Sequence, residues 1–320
     1  MRTFLAAILA LIFIVTPLAG WAQSYPDRAI TLIVPSTPGS APDVLARITA
    51  QKLSAQMGQQ VVAVNRPGAG TNIGSAVVAN AASDGYTILL GSETAMTLNP
   101  HIVKKMNYTL EQLAAVSSVA AAPDILVVHP SVAATSVQEL IALLKSKPGT
   151  PAGHAGVGTT THLSLEMFRL MSGVEITLVP FQGGGATQTA ILSGQVPFMF
   201  STTITILPRV RSGQLRALAI SSAKRIAAAQ ELPTVAESGF AGFDVAGWFG
   251  FFAPAKTPKA IIDRLSVETR RALGEPDVIK RLVDLGAEPL GSTPEDFASH
   301  VNAEYAKWQK LTKDAGIRIE

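Results

Sequence analysis

Ala29-Ile-Thr-Leu-Ile-Val-Pro-Ser-Thr-Pro-Gly-Ser-Ala-Pro-Asp43 reads as a strand, a loop and the opening turn of a helix. The apolar, β-branched run stops at Pro35, which cannot donate to a sheet ladder. Ser40-x-x-Asp43 has the form of a capping box, with Pro42 in the first helical turn. The same unit recurs along the chain. Val61–Val64, Tyr86–Leu90, Ile125–Val128, Ile176–Val179, Val196–Phe200 and Leu215–Ile220 are short apolar runs bounded by turn residues. Helical periods lie between them. Val137, Leu140, Ile141 and Leu144 share one face, as do Leu163, Met167, Leu170 and Met171. Phe297, Val301, Tyr305, Trp308, Leu311 and Ala315 continue one stripe near the end. Strands alternating with helices predict an α/β architecture of parallel, doubly wound sheets.

The chain has 320 residues, enough for two domains. At 48% hydrophobic and 15% charged it can bury large cores, which excludes disorder. A net charge of +3 without a basic cluster gives no footprint for nucleic acid. The absence of cysteine excludes a disulfide scaffold, thiolate-bound metal and thiol catalysis. Met1–Ala22 has a basic start at Arg2, an apolar run Phe4–Val15 and the small-residue end Gly20-Trp-Ala22. That is the pattern of a cleaved signal peptide, too short in its apolar part for a relaxed membrane span. An exported, periplasmic protein is therefore expected.

Four loops that follow strands are rich in Gly, Ser and Thr: Pro35–Asp43, Gly91–Thr94, Gly156–His162 and Phe181–Gly185. In α/β sheets such loops gather at the carboxyl ends of strands, where helix N-termini present N–H groups. Together they predict a site for a small anion such as a carboxylate. Tests for catalysis fail. The chain has no Gly-x-Ser-x-Gly, no His-Glu-x-x-His and no P-loop, and Ile73 stands where a dinucleotide fingerprint needs its third glycine. Ser221-x-x-Lys224 lacks the partner motifs of penicillin-interacting enzymes. Neither catalytic residues, nor a cofactor, nor a metal is expected.

Tyr25–Pro35 followed by Gly39 and Asp43-Val-Leu-Ala-Arg47 resembles the opening of the Bug-type receptors, the solute-binding proteins of tripartite tricarboxylate transporters. The likeness continues through Val64-Asn-Arg-Pro-Gly-Ala-Gly-Thr-Asn-Ile-Gly74, Ser83–Leu90, Leu98-Asn-Pro100, His162-Leu-x-x-Glu166 and Val179-Pro-Phe-x-Gly183. It ends with Ser193–Val196, Leu232–Gly239, Trp248-Phe-Gly250 and Asp314-Ala-Gly-Ile317. The resemblance implies a type 2 periplasmic-binding-protein fold whose two lobes close on a ligand in the manner of a Venus flytrap. Lobe one would comprise 23–124 plus 247–320 and lobe two 125–246. The ligand would be a small carboxylate, and the further partners the membrane subunits of the transporter. A monomer is expected, with no nucleic-acid partner.

On this resemblance Ser36, Thr37, Pro38, Gly39, Ser40 and Asp43 face the ligand from one lobe, and Gly158, Thr159, Thr160 and His162 from the other. Ser92, Glu93, Thr94, Gly183 and Gly184 complete the wall. The Asn65–Gly70 run is read as a structural turn outside the ligand site. Two departures matter. Ser40 replaces a frequent glycine and narrows the pocket. Ser201, followed by Thr202, stands where the family often has an aspartate that could pair with an ammonium group. A non-amino carboxylate is therefore expected: a di- or tricarboxylate or an aromatic acid. A sensory receptor sharing fold and ligand chemistry, and an enzyme acting on such an acid, stay open as alternatives.

Overall fold

The computed structural model describes residues 25–315; the expected signal peptide, and Ile317 of the last motif, lie outside them. The amino-terminal half of the fold begins with β1 (Ile30–Val34), α1 (Ala41–Met57), β2 (Val61–Asn65), α2 (Asn72–Ala79), β3 (Thr87–Ser92) and α3 (Asn99–Ile102). A long strand, β4 (Leu113–Val128), leads to α4 (Val137–Ser146), β5 (Thr150–His154), α5 (Thr160–Ser172), β6 (Ile176–Pro180) and α6 (Gly184–Leu192). Then come β7 (Phe198–Thr202), α7 (Thr203–Arg211), β8 (Arg216–Ile220) and β9 (Ala246–Pro254). The chain closes with α8 (Lys259–Leu273), α9 (Pro276–Asp284), β10 (Glu288–Pro289) and α10 (Pro294–Ala315).

Eight strands form one continuous path in the order β2-β1-β3-β9-β4-β7-β5-β6, and β8 and β10 pair with β4 off that path. Pairing is parallel among β1, β2 and β3, and again among β5, β6 and β7. Antiparallel pairing enters through β4 and β9. Strand β4 pairs with β9 up to Pro123↔Ala246, and its next residue, Asp124, pairs with Thr202 of β7. It therefore belongs to both sheets. Two lobes result, each a sheet with helices on its faces. One pair of hydrophobic cores is built from residues before Pro123 and after Ala246, joined only by Ile204 of α7. The other pair is built from Ile125 to Val245. The α/β fold class expected from the sequence is present, with sheets that are mixed rather than purely parallel.

At the junction the chain is stapled twice. The Asp124 amide donates to Ser221 Oγ at 2.8 Å, and Ser221 Oγ donates to the Val245 carbonyl at 2.5 Å. Ser221 is thus fully engaged and buried, which disposes of the Ser-x-x-Lys motif as a nucleophile.

Two local expectations need correction. The stripe Leu163, Met167, Leu170 and Met171 is not the packed face of α5: Leu170 is 69% exposed, and Thr161, Ser164, Leu165 and Phe168 point inward. Small hydroxyl residues face inward because the helix start must lie close to the cleft. Ser40 does not cap α1 with its side chain. Its hydroxyl donates to the Thr37 carbonyl at 2.7 Å, while Asp43 reaches back to the Gly39 amide at 2.9 Å. Strands β5 and β9 are additions to the strands read from the sequence. In β9, Gly250 lets the Phe297 ring approach so closely that a Cβ would lie 2.1 Å from its Cζ.

Candidate functional site

The ends of five strands and the starts of five helices meet at one cavity of about 340 Å³ between the lobes. Pro35, Ser36 and Thr37 follow β1 and lead to Ser40–Pro42 at the start of α1. Ser92 ends β3. From the other lobe, Ala155 and Gly156 follow β5 and lead to Thr159–Thr161 at the start of α5. Phe181–Gly184 join β6 to α6, and Phe200–Thr202 end β7 where α7 begins. Trp248 and Phe249 of β9 form the floor on the shared side.

No lining residue is charged. The polarity comes from hydroxyls and from the amino ends of α1, α2, α5, α6 and α7. First-turn N–H groups of a helix lack intrahelical partners, and the aligned peptide dipoles put partial positive charge there. Only α5 of these five has a side-chain cap, from Thr159 to the His162 amide at 3.4 Å. Thr37 Oγ1 is buried in the wall without a hydrogen-bond partner. Among the described residues no group of three His, Asp or Glu is placed to hold a metal.

Of the residues singled out from the sequence, Ser36, Thr37, Ser40, Ser92, Thr94, Thr159, Thr160, Gly183, Gly184, Ser201 and Thr202 line this cavity. Pro38, Gly39, Asp43, Glu93, Gly158 and His162 do not. Asp43 is buried and accepts from the Gly39 amide, from Asn65 Nδ2 at 2.9 Å and from Arg47 Nε at 3.0 Å. Burial opposes its ionisation, but the hydrogen bonds from Arg47, Gly39 and Asn65 outweigh it and hold the carboxyl below its ordinary range. Its role is to shape the first loop.

Two imidazoles do the same for the facing loop. His154 Nδ1 accepts from the Gly156 amide at 3.3 Å and His162 Nδ1 from the Gly158 amide at 3.4 Å, with the two rings 4.7 Å apart. Burial, then the neighbouring His162, pushes His154 down to about 4, and burial lowers His162 against the pull of Glu166. Both rings are neutral at pH 7, as acceptors must be. Glu93 turns away to α10, where Oε1 accepts from Trp308 Nε1 at 3.2 Å. Burial, reinforced by Glu304, raises it to about 7.

Sequence reasoning also left residues out. Pro67–Thr71, read as a purely structural turn, forms part of the wall, and the Gly70 carbonyl accepts from Asn99 Nδ2 at 2.9 Å. Its positive backbone angles, including Thr71 at φ 80°, wrap the turn around the start of α2. Phe200, Trp248 and Phe249 carry no polar group that would mark them as ligand contacts in the sequence, and the fold brings them to the cavity.

A family model described as tripartite tricarboxylate transporter family receptor matches residues 45–317. This chain belongs to that family. Protein BugT of Bordetella pertussis is 36% identical over 305 residues, covering 93% of each chain. The Rhodopseudomonas palustris protein Rpa4515, solved with adipate, superposes with a TM-score of 0.88 at 37% identity, covering 92% of this chain and 99% of its own. MatC of the same organism, solved with bound malate, gives a TM-score of 0.84 at 29% identity, covering 90% and 99%. As a receptor family its members bind and release a solute, which agrees with a cavity of donors and walls. No helix among the described residues is long and apolar enough to cross a membrane.

Proposed function

We propose that this receptor is exported to the periplasm, captures a small non-amino carboxylate between its lobes and presents it to the membrane subunits of a tripartite tricarboxylate transporter. The observation that carries this reading is the convergence of five helix amino ends on a cavity lined by hydroxyls and no charged side chain. Such a site stabilises a carboxylate without a cation. It has no acidic lining group to pair with an ammonium, since Ser201 occupies the end of β7. Adipate and malate in the related structures belong to the same chemical class. Di- and tricarboxylates and aromatic acids are the favoured ligands.

Mechanism follows from the topology. The lobes, 25–124 plus 247–315 and 125–246, rotate about the crossings near Asp124 and Val245. Ligand contacts both sides only when they are together, so it stabilises the closed form. Side chains at the site hold and orient the ligand, and none takes part in a covalent step. Isothermal calorimetry across dicarboxylates, tricarboxylates, aromatic acids and acidic amino acids tests this. Binding within the first three groups is expected. Tight binding of aspartate or glutamate with no response to the others would refute the non-amino assignment.

A further inference from the structure

Among the described residues Asp124 has no cationic partner. The carboxylate is buried where β4 passes from one sheet to the other, and among the described residues it makes no ion pair. Its Oδ2 accepts from Ser164 Oγ at 2.8 Å and its Oδ1 from Thr202 Oγ1 at 3.1 Å. Burying a charge with only hydroxyl partners is costly, of the order of several kcal/mol. Both hydroxyls are placed to donate to it, which favours the ionised form against the burial that raises the group to about 6. An ionised carboxylate has no proton to give. Both hydroxyls must therefore point their hydrogens at it.

Thr202 lies on the cavity wall. With its proton committed to Asp124, its oxygen faces the ligand as an acceptor alone. Thr205 adds to this polarity, because its hydroxyl donates to the Thr202 carbonyl at 3.1 Å and it too lines the cavity. At the end of β7 the Thr202 side-chain oxygen is thus an acceptor set beside the N–H donors of the first turn of α7. A ligand carboxylate placed against Thr202 would set acceptor against acceptor. A ligand hydroxyl placed there would donate.

We propose that Asp124 determines specificity through Thr202, turning that hydroxyl into an obligate acceptor so that this wall selects a carboxylate carrying a hydroxyl group over the analogue without one. Asp124 is a positioning residue, and Thr202 makes the contact. The assignment rests on the carboxylate reading above and names the substrate class more closely.

Calorimetry with matched pairs tests it: L- and D-malate against succinate, 3-hydroxyadipate against adipate, and mandelate against phenylacetate. In the wild-type protein the hydroxylated member of at least one pair should bind about tenfold more tightly, the worth of one well-formed hydrogen bond. T202V, which keeps the side-chain shape, should bring that ratio within about twofold by weakening the hydroxylated member. D124L, which removes both acceptors at similar size, should do the same, and the double variant should lose no more than T202V alone. A purely structural role for Asp124 predicts equal losses for both members of a pair and additivity with T202V; either result overturns the proposal. So does a wild-type ratio near one, or one that T202V leaves unchanged. If no acid in any pair binds, the carboxylate reading fails and this inference falls with it.

Discussion

Two loops face each other across the cavity and solve the same problem with different chemistry. The loop after β1 is held by Asp43, an ionised carboxylate that accepts from the Gly39 amide at 2.9 Å. The loop after β5 is held by neutral His154 and His162 through longer contacts to the Gly156 and Gly158 amides, at 3.3 and 3.4 Å. A tight loop needs an acceptor for its own N–H groups, and either ring nitrogen or carboxylate oxygen will serve. The choice sets strength and pH window. A charge-assisted bond is shorter and stronger, whereas a neutral imidazole works only while unprotonated.

The sharpest way to disturb the second loop is steric. Gly158 has φ +75°, and a Cβ there would lie 2.3 Å from Oδ1 of Asn99, a buried side chain of the other lobe. Gly158→Ala should hold the lobes apart and weaken ligand binding by about 10- to 100-fold, matching 1–3 kcal/mol of strain and clash. Unchanged affinity by calorimetry would show that the two lobes do not meet at this point in the bound state.

On the first loop, Asp43→Ala strips the acceptor from Gly39, Asn65 and Arg47. A loss of about 2 kcal/mol in unfolding stability is expected from the orphaned buried donors, with Arg47 contributing little because it is exposed. Ligand affinity should fall about tenfold as the loop loosens. Asp43→Asn retains one acceptor and should lie between. Equal stability of the alanine variant and the wild type in urea denaturation would remove Asp43 from this role.

The smallest effect tests the pH window. His154 sits at about 4 in the native protein, below its ordinary 6.5. Between these values the unfolded chain takes up a proton that the native state does not, so stability should fall as pH drops from about 6.5 to about 4. His154→Asn keeps an acceptor and removes the titration. The difference in unfolding free energy between wild type and variant should change over that range by up to about 1–2 kcal/mol; a difference that stays flat would refute the imidazole latch. Asp43, held below its ordinary value, loses its contribution only at more acid pH. The second loop should loosen first.

Much of the fold was legible because β1, β2, β3, β6 and β7 are apolar runs ended by Pro, Gly or hydroxyl residues. Strand β5, Thr150-Pro-Ala-Gly-His154, was not. Its small residues are required by crowding, since a Cβ on Gly153 would meet Thr187, Val196 and Phe181 at 3.1 to 3.3 Å. The Ala- and Ser-rich start of β4 has little strand propensity either, and tertiary pairing with β9 overrides it. At the site, hydroxyl-bearing loops were recognisable by their position after strands. Asp43, Glu93 and His162 looked like ligand contacts because polar side chains near such loops usually are, yet each is occupied by neighbouring protein atoms. The sequence carries residue type, and which way a side chain turns is decided by burial.

Strand β9 lies between β3 and β4 although it follows β4 by more than a hundred positions in the chain. Until Ala246–Pro254 has been made, the first sheet has a gap at its centre, with β3 and the first half of β4 lacking the neighbour that joins them. The second sheet needs nothing beyond β8. Assembly is therefore ordered by connectivity: the inserted half can be finished while the half that begins the chain still waits for its keystone.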